Sequence, residues 1–253
     1  MRAMTAQSAP AVPQQNNCLA PLSSRALSLL NARLVDVTLP AGAVLWDAGK
    51  VATDVFFPLT GLVSILLPLP GGEAIEVGSI GREGAAAATL GPERTEAATA
   101  GLVLIGGDFR KIAAADLFAA AAHDDDIRDM VGRCRAWLLM QAQQIAACNT
   151  VHSADKRFCR WLLACSEKLD ATTIVATQEQ IAALLGIRRT TLSLVAQQLG
   201  AQGLIDYRRG KIAIVDIGKL RAAACDCGTA IGHRHWPFAT ARAERDARRS
   251  VIV

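Results

Sequence analysis

The chain between Val35 and Gly107 consists of short apolar runs that glycine and proline interrupt at close intervals. Runs of this length and composition predict β-strands, and the close spacing of the turn signals favours a small barrel or sandwich. One hairpin is predicted directly, because the letters PGGEA separate SILLPL from IEVGSI and glycine supplies the positive φ that tight turns need. Helical patterns return after Asp108.

Two segments precede the strand-rich part. Residues 1–20 are rich in alanine, glutamine, proline and serine and show no hydrophobic period, which predicts a flexible tail. Residues 21–34 predict a short helix that begins near Ser23 or Ser24, because a serine hydroxyl can accept a hydrogen bond from the first helical turn.

A long helical pattern runs from Asp124 to Thr150. Aspartates at its start stand where carboxylates stabilise a helix N-terminus. Positions at a spacing close to 3.5 then form a seam, with glutamine as its polar interruption: Ile127, Val131, Cys134, Leu138, Gln141, Ile145 and Cys148. The helix would be about 40 Å long. Such a seam predicts pairing with a second copy of the chain, and the alternative is an ordinary amphipathic core helix.

The stretch from Thr177 to Leu199 reads TQEQIAALLGIRRTTLSLVAQQL. Its T-x-x-Q start is a capping box, which begins a helix. Gly186 then permits a sharp turn into a second helix, and the small Ala182 lets the two helices approach closely. This spacing predicts a helix-turn-helix, and a plain helical hairpin is the alternative.

The second helix of this motif would expose a face that suits base edges in the major groove of DNA. That face carries Arg189, Thr190, Ser193, Leu194 and Gln197. The letters GLIDYRRGKIAIVD then predict a two-stranded wing with its turn at Arg209-Gly210, flanked by Arg208 and Lys211. Seven basic and two acidic residues lie between Arg188 and Arg221, whereas the whole chain carries a net charge of +4. Clustered cations beside such a motif indicate phosphate binding.

Composition narrows the class of protein. The 253 residues are 51% hydrophobic and 20% charged, so the chain can bury a core. No uncharged apolar run reaches the length of a membrane span, although the mean hydropathy is +0.26. Seven scattered cysteines without a secretory leader favour a reduced, cytoplasmic setting. The four histidines are dispersed and no catalytic motif is present, so we expect no enzyme.

Taken together, these features resemble the CRP/FNR (cyclic-AMP receptor protein / fumarate–nitrate regulator) family of bacterial transcription factors over about residues 21–228. The letters LPAGAVLWDAG and VFFPLTGLVSI are similar to the family's β-roll, and the stretch from Thr177 to Asp216 resembles its DNA-binding domain. The resemblance implies an α+β fold: a cyclic-nucleotide-binding-like β-roll (jelly roll), a long dimerisation helix and a C-terminal winged helix-turn-helix. The implied division is a flexible tail (1–20), a sensory-type β-roll (21–123), the dimerisation helix (124–150), the DNA-binding domain (151–228) and a basic tail (229–253).

By this resemblance the base-reading positions are Arg188, Arg189, Thr190, Ser193 and Leu194. Two of them depart from the family's pattern. Arg188 stands where many members have a serine cap, and Leu194 stands where the cyclic-AMP receptor protein has a charged base-reading residue. We therefore expect an operator that differs from that protein's.

The effector pocket that the resemblance implies is incomplete. Members that bind cyclic nucleotides use a Gly-Glu pair for the ribose and an Arg-Ser pair for the phosphate, and this chain offers Glu83 and then Arg94-Thr95. An arginine beside a hydroxyl suits a phosphate, but Arg82 interrupts the Gly-Glu pair. The alternative is a solvated loop with a structural carboxylate, and no cofactor is expected.

Cysteine and histidine positions give two further expectations. The family's iron–sulfur branch needs several N-terminal cysteines, and only Cys18 lies there, so that sensor is not expected. Near the C-terminus, Cys225, Cys227, His233 and His235 offer zinc-type ligands. Their C-x-C and H-x-H spacings are not those of a standard zinc finger, and we expect ordinary tail residues and no metal site.

The sequence therefore predicts a sequence-specific transcription regulator. It would act as a homodimer on an inverted-repeat operator with half-sites about 34 Å apart. Double-stranded DNA, a second copy of the chain and RNA polymerase are the expected partners, and no membrane is. The alternative is a cyclic-nucleotide-like small-molecule sensor whose winged helix mediates protein contacts.

Overall fold

The computed structural model describes residues 15–90 and 96–228. The N-terminal half of this range is built from two antiparallel sheets, with strand orders β1-β7-β3 and β2-β6-β4-β5. The strands are β1 (Val35–Leu39), β2 (Val44–Trp46), β3 (Asp54–Pro58), β4 (Leu62–Pro68), β5 (Ala74–Ile80), β6 (Ala100–Ile105) and β7 (Gly107–Ala113). Among the described residues the two sheets do not join into one closed barrel, so the domain is a roll.

The predicted hairpin is confirmed. Strands β4 and β5 pair antiparallel, with Pro68 opposite Ala74, and Gly72 in the connection has a φ of 85°. Side chains from both sheets meet in one core, which includes the fully buried Phe57 and Phe109.

The packed N-terminal domain begins before residue 21. Cys18 and Leu19 are buried in the core. The Asn16 side-chain amide donates to the carbonyl oxygens of Pro58 and Gly84 at 3.0 and 2.9 Å. The prediction of a flexible tail up to residue 20 is therefore wrong for its last residues, because this amide satisfies two buried carbonyls. Residues 1–14 lie outside the described ranges.

Three helices accompany the roll: α1 (Ser24–Asn31), α2 (Ala114–His123) and α3 (Asp125–Val151). Both predicted helix starts are confirmed. The Ser23 hydroxyl accepts from the amide of Ala26, and an Asp124 carboxylate oxygen accepts from the amides of Asp126 and Ile127. Within the described ranges, no helix has both the length and the apolar character needed to cross a membrane.

Most of the seam predicted for pairing on α3 is buried within the chain itself. Ile127, Val131 and Cys134 belong to the core of the roll, where the Sγ atoms of Cys134 and Cys18 lie 3.7 Å apart. Leu138 packs over Gly78 of β5.

The C-terminal part of the same seam faces the C-terminal half of the chain. Gln141 Oε1 accepts from Lys168 Nζ at 2.8 Å, Ile145 lines a cavity between the domains, and Cys148 lies against Cys225. Five of these residues are buried inside the chain, so their assignment to a dimer interface is wrong: Ile127, Val131, Cys134, Gln141 and Cys148. Leu138 and Ile145 are half-buried, and for these two the assignment stays a prediction. A helix that packs on its own domain needs the same apolar spacing as a helix that pairs with a copy of itself.

The C-terminal half has a three-stranded sheet of order β8-β10-β9 and packs around a second core, which also includes Leu62 and Leu104 of the roll. Its elements are α4 (Ala154–Leu169), β8 (Thr173–Val175), α5 (Gln178–Leu185), α6 (Arg189–Ala201), β9 (Ile205–Arg208), β10 (Lys211–Ile214) and α7 (Ile217–Ala223). Phe158, Leu162, Ile181, Leu192 and Ile212 are fully buried and hold these elements together.

A buried lysine connects the two halves. Lys168 of α4 donates from Nζ to the carbonyl and hydroxyl oxygens of Ser79 at 2.6 and 2.7 Å, in addition to Gln141. Its Nζ also lies 3.6 Å from Oε1 of Glu83, and Glu83 is fully buried. Because an ammonium group has three N–H donors, these oxygens fix α4 against β5 and α3.

Replacing Lys168 with methionine should destabilise the protein by about 3–5 kcal/mol, because Glu83 would remain as an unpaired buried carboxylate. Urea unfolding followed by tryptophan fluorescence measures this loss. The double variant Lys168→Met/Glu83→Gln should lose less, because it buries no charge.

The matched control is Arg82→Ala, which removes the ion pair between Arg82 and the exposed Asp170. This variant should lose at most about 1 kcal/mol. Equal losses in all three variants would contradict the role assigned to Lys168.

Candidate nucleic-acid interface

The predicted helix-turn-helix is present and its local geometry follows the sequence. The Thr177 hydroxyl accepts from the amide of Gln180, and the Gln180 side chain accepts from the amide of Thr177, which completes the capping box at the start of α5. Gly186 ends α5 in the left-handed region with a φ of 59°. Ala182 is buried where α5 meets α6.

The exposed face of α6 agrees with the sequence prediction at all but one position. Arg188, Arg189, Thr190, Leu194 and Gln197 are exposed, and the apolar Leu194 has 62% of its surface open to solvent.

Ser193, also predicted on this face, is turned towards α5. It is only half-exposed. Its hydroxyl donates to Oε1 of Gln178 at 2.6 Å and lies 3.0 Å from the carbonyl oxygen of Arg189. This bond leaves the hydroxyl oxygen only as an acceptor, so Ser193 positions α6 on α5 and is a poor donor to a base.

The predicted wing is formed by β9 and β10. Arg209 and Gly210 connect them with φ angles of 49° and 75°, which is the two-residue turn that matches the twist of paired strands. The Tyr207 hydroxyl donates to the carbonyl oxygen of Ala176 at 2.9 Å, and burial raises the pKa of this phenol. The wing is thus fixed to the start of α5.

Ion pairs divide the basic residues of this region into two groups. Three are neutralised: Arg208 pairs with Asp206, Lys219 with Asp216, and Arg221 with Glu167. Within the part of the chain that the structure describes, no carboxylate forms an ion pair with the other four, which are Arg188, Arg189, Arg209 and Lys211. These four cations lie at the start of α6 and on the wing.

A concave surface lies between the start of α5, the start of α6 and the wing. It is lined by Thr177, Gln178, Glu179, Arg189, Tyr207, Arg209 and Gly210. Arg189 and Arg209 therefore face the same depression from two elements, although Glu179 contributes one negative charge to it. Cations that face one depression from two elements suit the binding of a nucleic acid.

Of the three predicted effector residues, the structure describes only Glu83. The Glu83 carboxylate accepts from the amide of Gly81 and pairs with Lys168, so it acts as a structural carboxylate. Arg94 and Thr95 lie outside the described residues, and their assignment stays a prediction.

A cavity of about 290 Å³ lies between the roll and the C-terminal domain. Trp137, Trp161 and Glu76 are among its lining residues, and Glu83 is not. Burial raises the pKa of the Glu76 carboxyl group, although Ser64 and Trp161 donate hydrogen bonds to it. This volume is near the lower limit for a small-molecule site.

Sequence reasoning missed one cluster of side chains. Cys225 and Cys227 lie beside Cys148 and His152 at the C-terminal end of α3. The other two predicted ligands, His233 and His235, lie outside the described residues. Cys148 lies in the last turn of α3 and His152 directly follows the helix, and their separation of four residues is the signal in the sequence that indicates the cluster.

Comparison with models of known protein families gives a match in the C-terminal half of the chain. Residues 156–223 match the model of the Crp-like helix-turn-helix domain, which spans α5, α6 and the wing. No curated protein sequence matches the chain.

Several solved structures are similar over most of the chain. FixK2 from Bradyrhizobium japonicum has a TM-score of 0.63 at 17% identity and covers 76% of this chain and 98% of that one. A transcriptional regulator of the CRP/FNR family from Thermus thermophilus has a TM-score of 0.63 at 20% identity. The match covers 75% of this chain and 98% of that one. The c-di-GMP responsive global regulator CLP from Xanthomonas campestris has a TM-score of 0.62 at 15% identity. The match covers 77% of this chain and all of that one. At these identities the likeness shows the fold, and it confirms the expected fold class.

Replacing Gly186 with alanine should destabilise the DNA-binding domain by about 1–2 kcal/mol, because alanine is strained in the left-handed region. Its added Cβ would meet only Ile75 Cγ2, at an ordinary contact distance of 3.5 Å, so the cost comes from the backbone. Thermal and urea unfolding measure the change.

Gly200→Ala is the matched control, since Gly200 lies inside α6 and its Cβ would have 3.7 Å to the nearest atom. This control should be stabilised by about 0.5–1 kcal/mol. If both variants changed the free energy of unfolding in the same direction, the turn geometry at Gly186 would be contradicted.

Proposed function

Because the chain has the fold of CRP/FNR-type regulators with a Crp-like helix-turn-helix domain, we propose that it regulates transcription by binding a specific DNA sequence as a homodimer. The observation that supports this most strongly is the position of the four cations that have no carboxylate partner among residues 15–90 and 96–228. They lie at the start of α6 and on the wing, whereas the other basic residues of the same region are neutralised.

The exposed residues of α6 are suited to reading bases. An arginine such as Arg189 can donate two hydrogen bonds to guanine, and a glutamine such as Gln197 can form a bidentate pair with adenine. The exposed apolar side chain of Leu194 suits contact with a thymine methyl group. The proposed operator thus combines a guanine near the start of α6 with thymine or adenine further along it.

The wing supplies the proposed phosphate contacts. Arg209 and Lys211 are exposed on the wing, where they can neutralise phosphate charge without reading sequence. Arg208 has Asp206 as its partner at 2.9 Å, so its contribution to DNA binding should be smaller than that of Arg209.

The homodimer is proposed to form through the face of α3 that stays exposed. Residues at alternating intervals of four and three form a stripe along this face: Gly132, Ala136, Leu139, Gln143, Ala146 and Thr150. The mean spacing of 3.5 is that of a left-handed coiled coil, and the small side chains permit close approach. Leu139, at 59% exposure, is the largest apolar group of this stripe.

Two-fold pairing of α3 would place two α6 helices for an inverted-repeat operator. Contact with RNA polymerase stays a prediction. The alternative, a sensor whose winged helix binds proteins, is less well supported, because four cations at the start of α6 and on the wing form no ion pair with a carboxylate of the described ranges.

Arg189→Ala should weaken binding to the cognate operator by about 1–3 kcal/mol and relax the preference at one base pair, because the arginine is placed to contact a base. Operators selected from genomic fragments and measured by fluorescence anisotropy provide the test. An equal loss on every duplex would show that Arg189 contacts phosphate only.

Arg209→Ala should weaken binding evenly on all duplexes and reduce the slope of log affinity against log salt concentration by about 1. Arg208→Ala is the neighbouring control and should change the slope less. A slope unchanged by Arg209→Ala would contradict the wing assignment.

Leu139→Asp should raise the dimer dissociation constant by about a hundredfold or more, because pairing would bury an uncompensated charge on each copy. Analytical ultracentrifugation over a range of concentrations measures the change. The control is Val44→Asp, since Val44 of β2 has an almost identical exposure of 58%. Dissociation by both variants, or by neither, would contradict the proposed interface.

A further inference from the structure

Four metal-ligating side chains meet where the end of α3 approaches the segment that follows α7. They are Cys148, His152, Cys225 and Cys227, and their ligand atoms all lie within 4.8 Å of one another. The Sγ atoms of Cys148 and Cys225 are 3.6 Å apart, and Cys227 Sγ is 3.5 Å from His152 Nδ1.

These distances match those between the ligands of a tetrahedral zinc ion. With Zn–S and Zn–N bonds of about 2.3 and 2.0 Å, two sulfur ligands lie about 3.8 Å apart, and a sulfur and a nitrogen about 3.5 Å. A polynuclear iron–sulfur cluster would hold its cysteines further apart, since its inorganic core lies between them. The geometry therefore fits a single ion.

The chemistry of the ligands selects among metals. Three thiolates and an imidazole form one of the standard ligand sets of structural zinc, whereas magnesium and calcium prefer oxygen ligands. Cys148, Cys225 and Cys227 are all buried, so the site is shielded from water. Arg160 lines the same cavity as Cys225, and this places a positive charge near a site that would carry a net charge of −1.

We propose that Cys148, His152, Cys225 and Cys227 bind one Zn²⁺ ion, which connects the C-terminal end of α3 to the C-terminal end of the DNA-binding domain. Binding forms three Zn–S bonds and one Zn–N bond and releases the protons of the thiols to solvent. Four protein ligands leave no open position, so the ion is structural and not catalytic. The site does not depend on the proposed DNA binding.

The position of the site gives the ion a mechanical role. His152 follows α3 directly, at the junction with α4, and 77 residues separate Cys148 from Cys225. A metal that closes so long a loop stabilises the folded state, because the unfolded chain lacks the preformed site. It also restricts how the DNA-binding domain can turn about the junction between α3 and α4.

The first experiment measures metal in the full-length protein purified under reducing conditions. Elemental analysis by plasma mass spectrometry should find about one zinc ion per chain. After removal of zinc by a chelator, added Co²⁺ should produce the absorption of tetrahedral cobalt with thiolate ligands, and the melting temperature of the chelated protein should be lower than that of the zinc form.

The variants Cys225→Ala and His152→Ala should lose the stoichiometric zinc and the cobalt spectrum. The control is Cys134→Ala, because Cys134 also lies on α3 and its Sγ is 3.7 Å from that of Cys18, yet it does not belong to the cluster. This control should keep both signals, and circular dichroism checks that each variant is folded.

Three outcomes would overturn the proposal. One is a metal-free protein that gives no cobalt spectrum, and the second is a Cys148–Cys225 disulfide in the protein isolated under reducing conditions, identified by peptide mass spectrometry. The third is equal zinc content in Cys225→Ala and Cys134→Ala. Operator affinity is measured separately, so a failure of the proposed DNA binding cannot be mistaken for a failure of the metal site.

Discussion

The arrangement of the two domains depends on the burial of one positive charge. Lys168 belongs to the DNA-binding domain, but the oxygens that accept its hydrogen bonds lie on β5 and α3. A buried ammonium is costly unless an opposite charge and hydrogen bonds compensate it, and Glu83 supplies that charge. The direction of α4, and with it the placement of α5, α6 and the wing, follows from a contact that tolerates little displacement.

The elements that local sequence determines were predictable. Thr177, Gln180 and Gly186 specify a capping box, a helix and a left-handed turn within ten residues, and the structure confirms each. The packing partner of the seam on α3 could not be predicted, because a spacing of 3.5 shows that a stripe is buried without showing which surface buries it. Likewise, Asn16 lies in a segment with the composition of a tail, and only the distant carbonyls of Pro58 and Gly84 give it a fixed position.

The same distinction applies to the candidate sites. The exposed face of α6 follows from helical periodicity, but Ser193 is held by Gln178 across the motif. The sequence does not show which cations form ion pairs, because partners such as Arg221 and Glu167 are 54 residues apart. The cysteine and histidine cluster is assembled from the C-terminal end of α3 and the segment that follows α7. Chemistry that needs side chains from distant segments is visible only in three dimensions.

Helix α3 carries two stripes with the same periodicity on different faces, one packed inside the chain and one exposed. Because a helix is stiff, rotation about its axis moves both stripes together, and Gln141 would be drawn away from Lys168 if Leu139 were displaced around the axis. Torque applied to the exposed stripe is therefore transmitted to the domain junction. By thermodynamic reciprocity, if a ligand at the junction changes the affinity of a partner for the exposed stripe by some factor, that partner changes the affinity of the ligand by the same factor.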